Sequence, residues 1–380
     1  MSEPSLAPIR TWLAEPMHYD VSEAIERLRR APDVQHIAVM PDVHLAADVC
    51  IGVVVATSRL IYPQAVGGDI GCGMLAVGFD VDAPALENPG IAGRILAGLG
   101  HAVPARRRNR RAAVTPPPDL EPARLSHRIL EAMGRKHGTI EFATLGGGNH
   151  FIELQGDEDG RLWLMVHSGS RGIGPAIRDY YLGQAEEVGG GLRALDVTSD
   201  QGVGYLNDAT WARRFAEESR RAMAVDVGVV MQEILGAQIG WETAIMTDHN
   251  HLSLERHGGR EVWVHRKGAM PAGAGQAGVL PGSMGSASFH VEGRGHEAAL
   301  CSSAHGAGRA LSRTAARADV TAREFRRQMK GVWYDYRMSE TLRDEAPAAY
   351  KDIKAVLRAQ RDLVKVTRVL RPVLNYKGAR

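Results

Sequence analysis

Short apolar runs, separated by glycine-rich and charged breaks, set the pattern of this chain. Segments 35–40 (Gln-His-Ile-Ala-Val-Met) and 51–57 (Ile-Gly-Val-Val-Val-Ala-Thr) are apolar, bounded by turn chemistry, and predict buried strands. Segments 74–81, 162–167 and 261–265 predict three more. Helical spacing marks 91–99, just after the breaker pair Pro89-Gly90, and then 125–135. The longest helical stretch is 207–235, with alanine, methionine and valine on one face; others are 307–317, 321–330 and 347–370. The charge run at 106–111 and the breaker Pro116-Pro117-Pro118 predict an exposed loop over about 104–119. A glycine- and alanine-rich loop is predicted over 268–288.

Strands and helices mix without a β-α-β-α rhythm, and neither a dinucleotide-binding nor a P-loop fingerprint is present. The expected class is therefore α+β. The segments with chemical promise are scattered from residue 42 to residue 377. Two independent domains would divide them, so a single large domain over 1–380, with mixed sheets around a central site, is expected.

Composition adds exclusions. Hydrophobic residues make up 44% and charged residues 24% of the 380, which excludes a disordered or collagen-like chain. The net charge of +2 does not advertise nucleic-acid binding, so any polyanion site must be a local patch. No apolar run reaches the ~18 residues of a membrane span, and no secretory signal is visible. Three cysteines, Cys50, Cys72 and Cys301, are too few for a disulfide framework, which fits a reducing, cytoplasmic setting.

Fifteen histidines among 43 glycines change the picture most. Asp69-Ile-Gly-Cys72 sets a carboxylate and a thiol in a glycine turn, a pair suited to a divalent ion, and a thiolate can bridge two. His150 follows Gly146-Gly-Gly-Asn149, His167 ends a strand before Ser168-Gly-Ser-Arg171, and His249 sits in Asp248-His249-Asn250-His251. Taken singly, each reads first as a hydrogen-bonded structural residue; the three together with Asp69 and Cys72 point to a metal centre. His305, in Ser302-Ser-Ala-His305-Gly-Ala-Gly308, follows a short strand and is expected to open a helix. There it reads as a capping residue, a phosphate donor or a nucleophile toward phosphorus. The small-residue loop Pro281-Gly-Ser-Met284-Gly-Ser-Ala-Ser288 suits close backbone approach, and the arginine run reads as solvated surface or as a phosphate track.

Taken in order, the segments resemble the RtcB family of RNA ligases. The resemblance rests on Pro41-Asp-Val-His44, Ala65-Val-Gly-Gly-Asp69-Ile-Gly-Cys72-Gly-Met74, Gly147-Gly-Asn149-His150-Phe-Ile-Glu153 and His167-Ser-Gly-Ser-Arg171-Gly-Ile-Gly174. It continues through His249-Asn250, Val264-His-Arg-Lys267, Pro281-Gly-Ser-Met-Gly285 and Ser303-Ala-His305-Gly-Ala-Gly308, and ends in Asp344-Glu-Ala-Pro and Asn375-Tyr-Lys377-Gly378. It implies joining of an RNA 3′-phosphate, or a 2′,3′-cyclic phosphate after hydrolysis, to a 5′-hydroxyl, in RNA repair or tRNA splicing. It also implies GTP and two Mn2+ ions, with an activating partner of archease type admitted.

By the family pattern, Asp69, Cys72 and His150 would hold one ion, and Cys72, His167 and His249 the other, a dinuclear centre at the heart of the domain. His305 would be the nucleophile that carries GMP. Its attack through a neutral imidazole nitrogen predicts a rate that falls at acid pH. Asn149, His150, Phe151, Ile152, Glu153, His249, Asn250, Pro281, Gly282, Ser283, Met284, Ser288, His305, Gly306, Ala307, Gly308 and Lys377 would line the guanylate pocket. Because Lys377 stands beside the last residues given, a C-terminal tag or truncation is expected to weaken GTP use.

One departure is visible: the familiar glycine-lysine-glycine stretch reads Ala46-Ala47-Asp48 here, an anion for a cation, for which the arginine loop is expected to compensate. Two other readings compete. A metal-dependent phosphoesterase would share the five ligands without needing GTP. An RNA-end binding protein would keep the pocket without turnover, although a relic should have lost some ligands.

Overall fold

The apolar run at residue 51 forms the strand Ile51–Thr57 in a computed structural model, which describes residues 6–109 and 113–378. Its alternate side chains serve two cores. Val53 and Val55 pack with Val39 and with Val21, Ile25 and Leu28 of the helix Tyr19–Arg29, whereas Val54 and Ala56 pack with Met40 and Val264. A strand covered on both faces needs no polar alternation, hence the unbroken run. It is the middle strand of a five-stranded sheet ordered Ile9–Thr11, Val34–His44, Ile51–Thr57, Arg260–Lys267, Asn250–His257. The first pair is parallel and the others antiparallel.

A second, seven-stranded antiparallel sheet runs Ile239–Asp248, Gly73–Asp82, Arg161–Ser168, Phe151–Asp157, Val364–Tyr376, Ser288–Gly293, Ala277–Leu280. Helices Pro89–Ala102, Ile173–Gln184 and Asp200–Leu235 cover one face. Leu75, Val77, Leu154, Leu164 and Val166 of the sheet are buried against Ala212, Phe215, Met223 and Val227 of the long helix. Each such large apolar side chain contributes roughly 1.5–3 kcal/mol by leaving water. The long helix starts at Ser199, whose hydroxyl accepts from the Gly202 amide at 3.0 Å, and stops at Gly236, which adopts a left-handed φ of 72°. The helix and strand mixture is α+β. Among the described residues, no helix is long and apolar enough to cross a membrane.

The chain crosses from one sheet directly into the other through a single residue. Asp248 ends a strand of the seven-stranded sheet and Asn250 begins a strand of the five-stranded one, so His249 occupies the corner.

Several elements depart from the sequence expectation. Residues 347–370 are not one helix: a short helix, Ile353–Ala359, gives way to the strand Val364–Tyr376. Valines and leucines at 364, 366, 369 and 370 fit either period; neighbouring strands on both sides settle the choice. Pro372 is tolerated there because the register slips between Pro372 and Leu374. The helix expected over 307–317 starts only at Arg313, with Ser312 Oγ accepting from the Ala315 amide at 3.1 Å. His305 therefore does not stand at a helix start; it leaves the strand Ser302–Ala304 into an irregular, glycine-containing turn. The helix expected over 125–135 is confined to Arg128–Met133 and continues as a π turn, Gly134–Gly138. The loop expected over 268–288 contains two short strands, Ala269–Pro271 and Ala277–Leu280, which pair with Ser302–Ala304 and Ser288–Gly293.

Candidate metal centre and adjoining pocket

Close backbone approach builds the centre at the corner between the sheets. Gly73 pairs with Asp248, and a Cβ on it would stand 2.2 Å from the Thr247 carbonyl oxygen. Only glycine lets the chain carrying Cys72 reach the corner. A Cβ on Gly169 would likewise fall 2.1 Å from Asp69 Oδ1, where the Ser170 amide donates to that carboxylate at 3.0 Å.

Cys72 Sγ lies 3.6 Å from His150 Nε2 and 3.3 Å from His167 Nε2, and His150 Nε2 lies 2.8 Å from Asp69 Oδ2. Two triads result, Asp69–Cys72–His150 and Cys72–His167–His249, with the donor atoms of each within 4.8 Å of one another. Cys72 belongs to both. His167 Nδ1 is 3.2 Å from the Asn149 carbonyl oxygen, an arrangement that orients the ring and leaves Nε2 facing the thiol. From the long helix, buried Arg220 donates to the carbonyl oxygens of Gly71 at 2.8 Å and Ser168 at 2.9 Å, tying together the segments that carry Cys72 and His167.

Burial drives His167 and His249 well below the ordinary imidazole range, so both are neutral and offer lone pairs. Burial alone would raise the Asp69 carboxyl, but His150, Cys72 and Arg171 together outweigh it and hold it at about 2. His150 Nδ1 is buried without a hydrogen-bond partner among the described residues. A shared thiol, three imidazoles and one carboxylate fit two divalent ions with one bridging ligand.

A cavity of about 820 Å³ opens beside this centre. Asn149, Phe151, Glu153, His249, Pro281, Gly282, Ser283, Met284, Ser288, His305, Gly306, Ala307, Gly308 and Lys377 line it, as does His167. The structure does not bring the other expected pocket residues to that wall. His150 belongs instead to the Asp69–Cys72–His150 triad. Ile152 lies on the opposite face of the strand Phe151–Asp157, fully buried in the helix-covered core, as strand alternation requires. Asn250 uses its side chain as a brace, donating to the Asp69 carbonyl at 3.1 Å and accepting from the Gly268 amide at 2.8 Å.

His305 Nδ1 lies 2.6 Å from Asp42 Oδ2, and the same oxygen accepts from the His305 amide at 3.1 Å. Nε2 is thus the ring nitrogen that Asp42 leaves unengaged. The His305 and His249 ring centroids are 4.6 Å apart, which places His305 beside the candidate metal centre. On another wall, Lys377 pairs with buried Glu345, which also accepts from the Tyr350 hydroxyl at 2.7 Å and pairs with Arg313. Burial alone would raise the Glu345 carboxyl; Lys377 and Arg313 hold it at about 2. Glu153 is the opposite case. Burial pushes it up to about 8, although the Asn375 and Gln155 amides each donate to it at 2.6 Å.

Sequence reasoning missed Asp42, Glu345 and Arg220. The first two sit inside Pro41-Asp-Val-His44 and Asp344-Glu-Ala-Pro, and that placement was their only signal. Arg220 shares a helical stripe with Ala216, Met223, Ala224 and Val227, all buried, and a lone cation on an apolar stripe is itself a flag.

The arginine run is less free than a charge run suggests. Arg107 pairs with Glu141 at 3.1 Å, and Arg108, largely buried, pairs with Asp226 and donates to the Ala143 carbonyl at 2.9 Å. Arg110 and Arg111 lie outside the described residues. At the Ala46–Asp48 departure, cations arrive from elsewhere instead: Lys267 donates to the carbonyls of Ala47 and Val49, and Arg27 to that of Asp48.

A family model described as "tRNA-splicing ligase RtcB" matches residues 24–122 and 120–378. The chain is 38% identical over 406 aligned residues to the RNA-splicing ligase RtcB of Escherichia coli K12, covering 98% of both proteins. It is 30% identical to the RNA-splicing ligase RtcB of Mycobacterium tuberculosis over 89% of this chain and 96% of that one. With the tRNA-splicing ligase RtcB of Pyrobaculum aerophilum it shares 29% identity, over 68% of this chain and 63% of that one.

Proposed function

Because this chain belongs to the RtcB family, we propose that it is an RNA ligase that joins 3′-phosphate or 2′,3′-cyclic phosphate ends to 5′-hydroxyl ends, consuming GTP, as one catalytic domain in the cytoplasm. The observation that carries the reading is His305, held by Asp42 on the wall of a nucleotide-sized cavity that also reaches His167 and His249.

His305 Nε2 attacks the α-phosphorus of GTP; an N–P bond forms and pyrophosphate leaves. Asp42, 2.6 Å from Nδ1, fixes the ring and stabilises the positive charge that develops on the imidazole as the bond forms. GMP then passes to the RNA 3′-phosphate, and the 5′-hydroxyl of the second end displaces it. Asp69, Cys72 and His150 would hold one divalent ion, and Cys72, His167 and His249 the second. When bound, manganese at these positions neutralises phosphate charge and orients the reacting oxygens. Lys377, with its ammonium over the Phe151 ring at 5.9 Å from the centroid, supplies a cation on the guanylate wall.

The phosphoesterase reading is not favoured, since the relatives that match over the full chain are named as ligases. The test is incubation with α-labelled GTP and manganese, denaturation and a search for an acid-labile, base-stable covalent label. A label absent from His305→Ala and Cys72→Ala establishes guanylyl transfer. Absence of label from the folded, manganese-loaded wild-type protein, with an archease-type activator present, would sink it.

A further inference from the structure

The strand Asn250–His257 begins beside His249 and ends at a second cluster of donors. Eight residues separate His249 from His257, roughly 26 Å at ~3.3 Å per residue. There His257 Nδ1 lies 3.3 Å from Glu297 Oε2, and Cys301 Sγ lies 3.9 Å from Glu297 Oε1. One donor atom from each of the three residues lies within 4.8 Å of the other two.

Each donor is held from behind. His257 Nε2 is 3.0 Å from Glu255 Oε2, and Glu255 is gripped through both oxygens by the guanidinium of buried Arg266. A carboxylate on one ring nitrogen is how ligating histidines are oriented and made basic at the other. The same Arg266 donates to the Leu300 carbonyl at 3.0 Å and to Ser302 Oγ at 2.9 Å, and so braces the corner that carries Cys301. Leu300 and Cys301 both adopt left-handed backbone, φ 50° and 44°, a conformation that side-chain-bearing residues rarely take. The Gly258 amide donates to Glu297 Oε2 at 3.4 Å, steadying the exposed carboxylate over the hairpin.

We propose that His257, Glu297 and Cys301 form a mononuclear site for a zinc-class divalent cation, separate from the Cys72 centre, with its fourth position open to solvent. Donors about 2.0–2.3 Å from a tetrahedral ion stand roughly 3.3–3.8 Å apart, inside the 4.8 Å within which one donor atom from each of the three residues already lies. Imidazole, thiolate and carboxylate together suit zinc over calcium or magnesium, which take oxygen donors. Glu297, with 65% of its side chain exposed, is the entry side. Binding releases the Cys301 thiol proton to solvent. Cys301 immediately precedes the strand Ser302–Ala304, which delivers His305, so a bound ion pins the segment on which the nucleophile rides.

The test uses the full chain with Cys72→Ala, which removes the thiol of the other centre. Chelator-stripped protein is titrated with Co2+ and then Zn2+, and iodoacetamide modification is mapped residue by residue, with Cys50 as the internal control. One Co2+ giving thiolate charge-transfer absorption, displaced by Zn2+, is expected, along with alkylation of Cys301 slowed roughly 10-fold or more by Zn2+. Cys301→Ser is expected to abolish the band. Glu297→Ala, at a side chain 65% exposed, is expected to weaken Zn2+ binding roughly 10-fold or more. Alkylation of Cys301 that is indifferent to Zn2+, or a Co2+ band that survives Cys301→Ser, would overturn the proposal.

Discussion

Asp42 reaches His305 twice through one oxygen, at 2.6 Å from the ring Nδ1 and 3.1 Å from the backbone amide, across 263 residues of chain. The carboxylate is fully buried and sets both the rotation of the imidazole and the position of the backbone beneath it.

Asp42→Asn is expected to keep the size of that contact while removing its charge. Guanylylation should slow on the order of 100-fold or more, with metal content unchanged. Single-turnover labelling with α-labelled GTP, beside elemental analysis, reads both quantities. Wild-type labelling kinetics in a folded Asp42→Asn protein would reduce Asp42 to a structural role.

Cys72 is the one donor common to both triads, whereas His150 belongs to one. Cys72→Ala is therefore expected to lose both divalent ions and His150→Ala only one. Metal-to-protein ratios after gel filtration in manganese decide it, and equal losses in the two variants would contradict a bridging thiol.

Lys377 and Glu345 form a buried pair, with Arg313 as a second cation on Glu345. Lys377→Met leaves Glu345 short of one partner, and such a loss costs about 3–5 kcal/mol, at the lower end here because Arg313 stays. Urea midpoints should fall accordingly, and GTP binding should weaken in the same variant. Adding Glu345→Gln should restore part of the stability but none of the GTP affinity. Full recovery of both would show that Lys377 acts only as a counter-ion.

Glu255 titrates at about 2 in the fold: burial raises it, but its bonds to Arg266 outweigh burial. Its folded value is below the unfolded value of ~4.3, so the unfolded chain takes up the proton first on acidification. The stability this pair contributes is complete above about pH 5 and is lost as pH falls toward 2. Denaturant midpoints across that window should drop more steeply for wild type than for Glu255→Gln. Parallel slopes would mean that other carboxylates govern acid unfolding.

Arg108, tied to Asp226 and the Ala143 carbonyl, and Arg106, exposed, should behave differently. Arg108→Ala is expected to cost about 1–3 kcal/mol of stability by stranding Asp226. Arg106→Ala should leave stability intact and lower RNA affinity a few-fold at low salt. Thermal melts and a salt-dependent RNA titration separate the two, and equal behaviour would mean that the loop works as one charged surface.

The two candidate triads were legible from the sequence because ligand chemistry restricts residue type within short motifs: Asp69-Ile-Gly-Cys72, His150, His167 and His249 stand out locally, and the fold brings them together. Strands such as Ile51–Thr57 were legible for a related reason, since burial on both faces writes an unbroken apolar run. Tertiary structure alone decided what depends on distant partners. The valines and leucines of Val364–Tyr376 suit a helix as well as a strand until Phe151–Asp157 and Ser288–Gly293 flank them. The same holds for Ile152, whose place in the core follows from strand alternation, although its neighbours Phe151 and Glu153 face the cavity. Asp42 with His305, Glu345 with Lys377 and Arg220 beneath Cys72 are pairings between segments far apart in sequence. A carboxylate or guanidinium carries no mark of its partner until folding strips both of water and makes an unpaired charge costly.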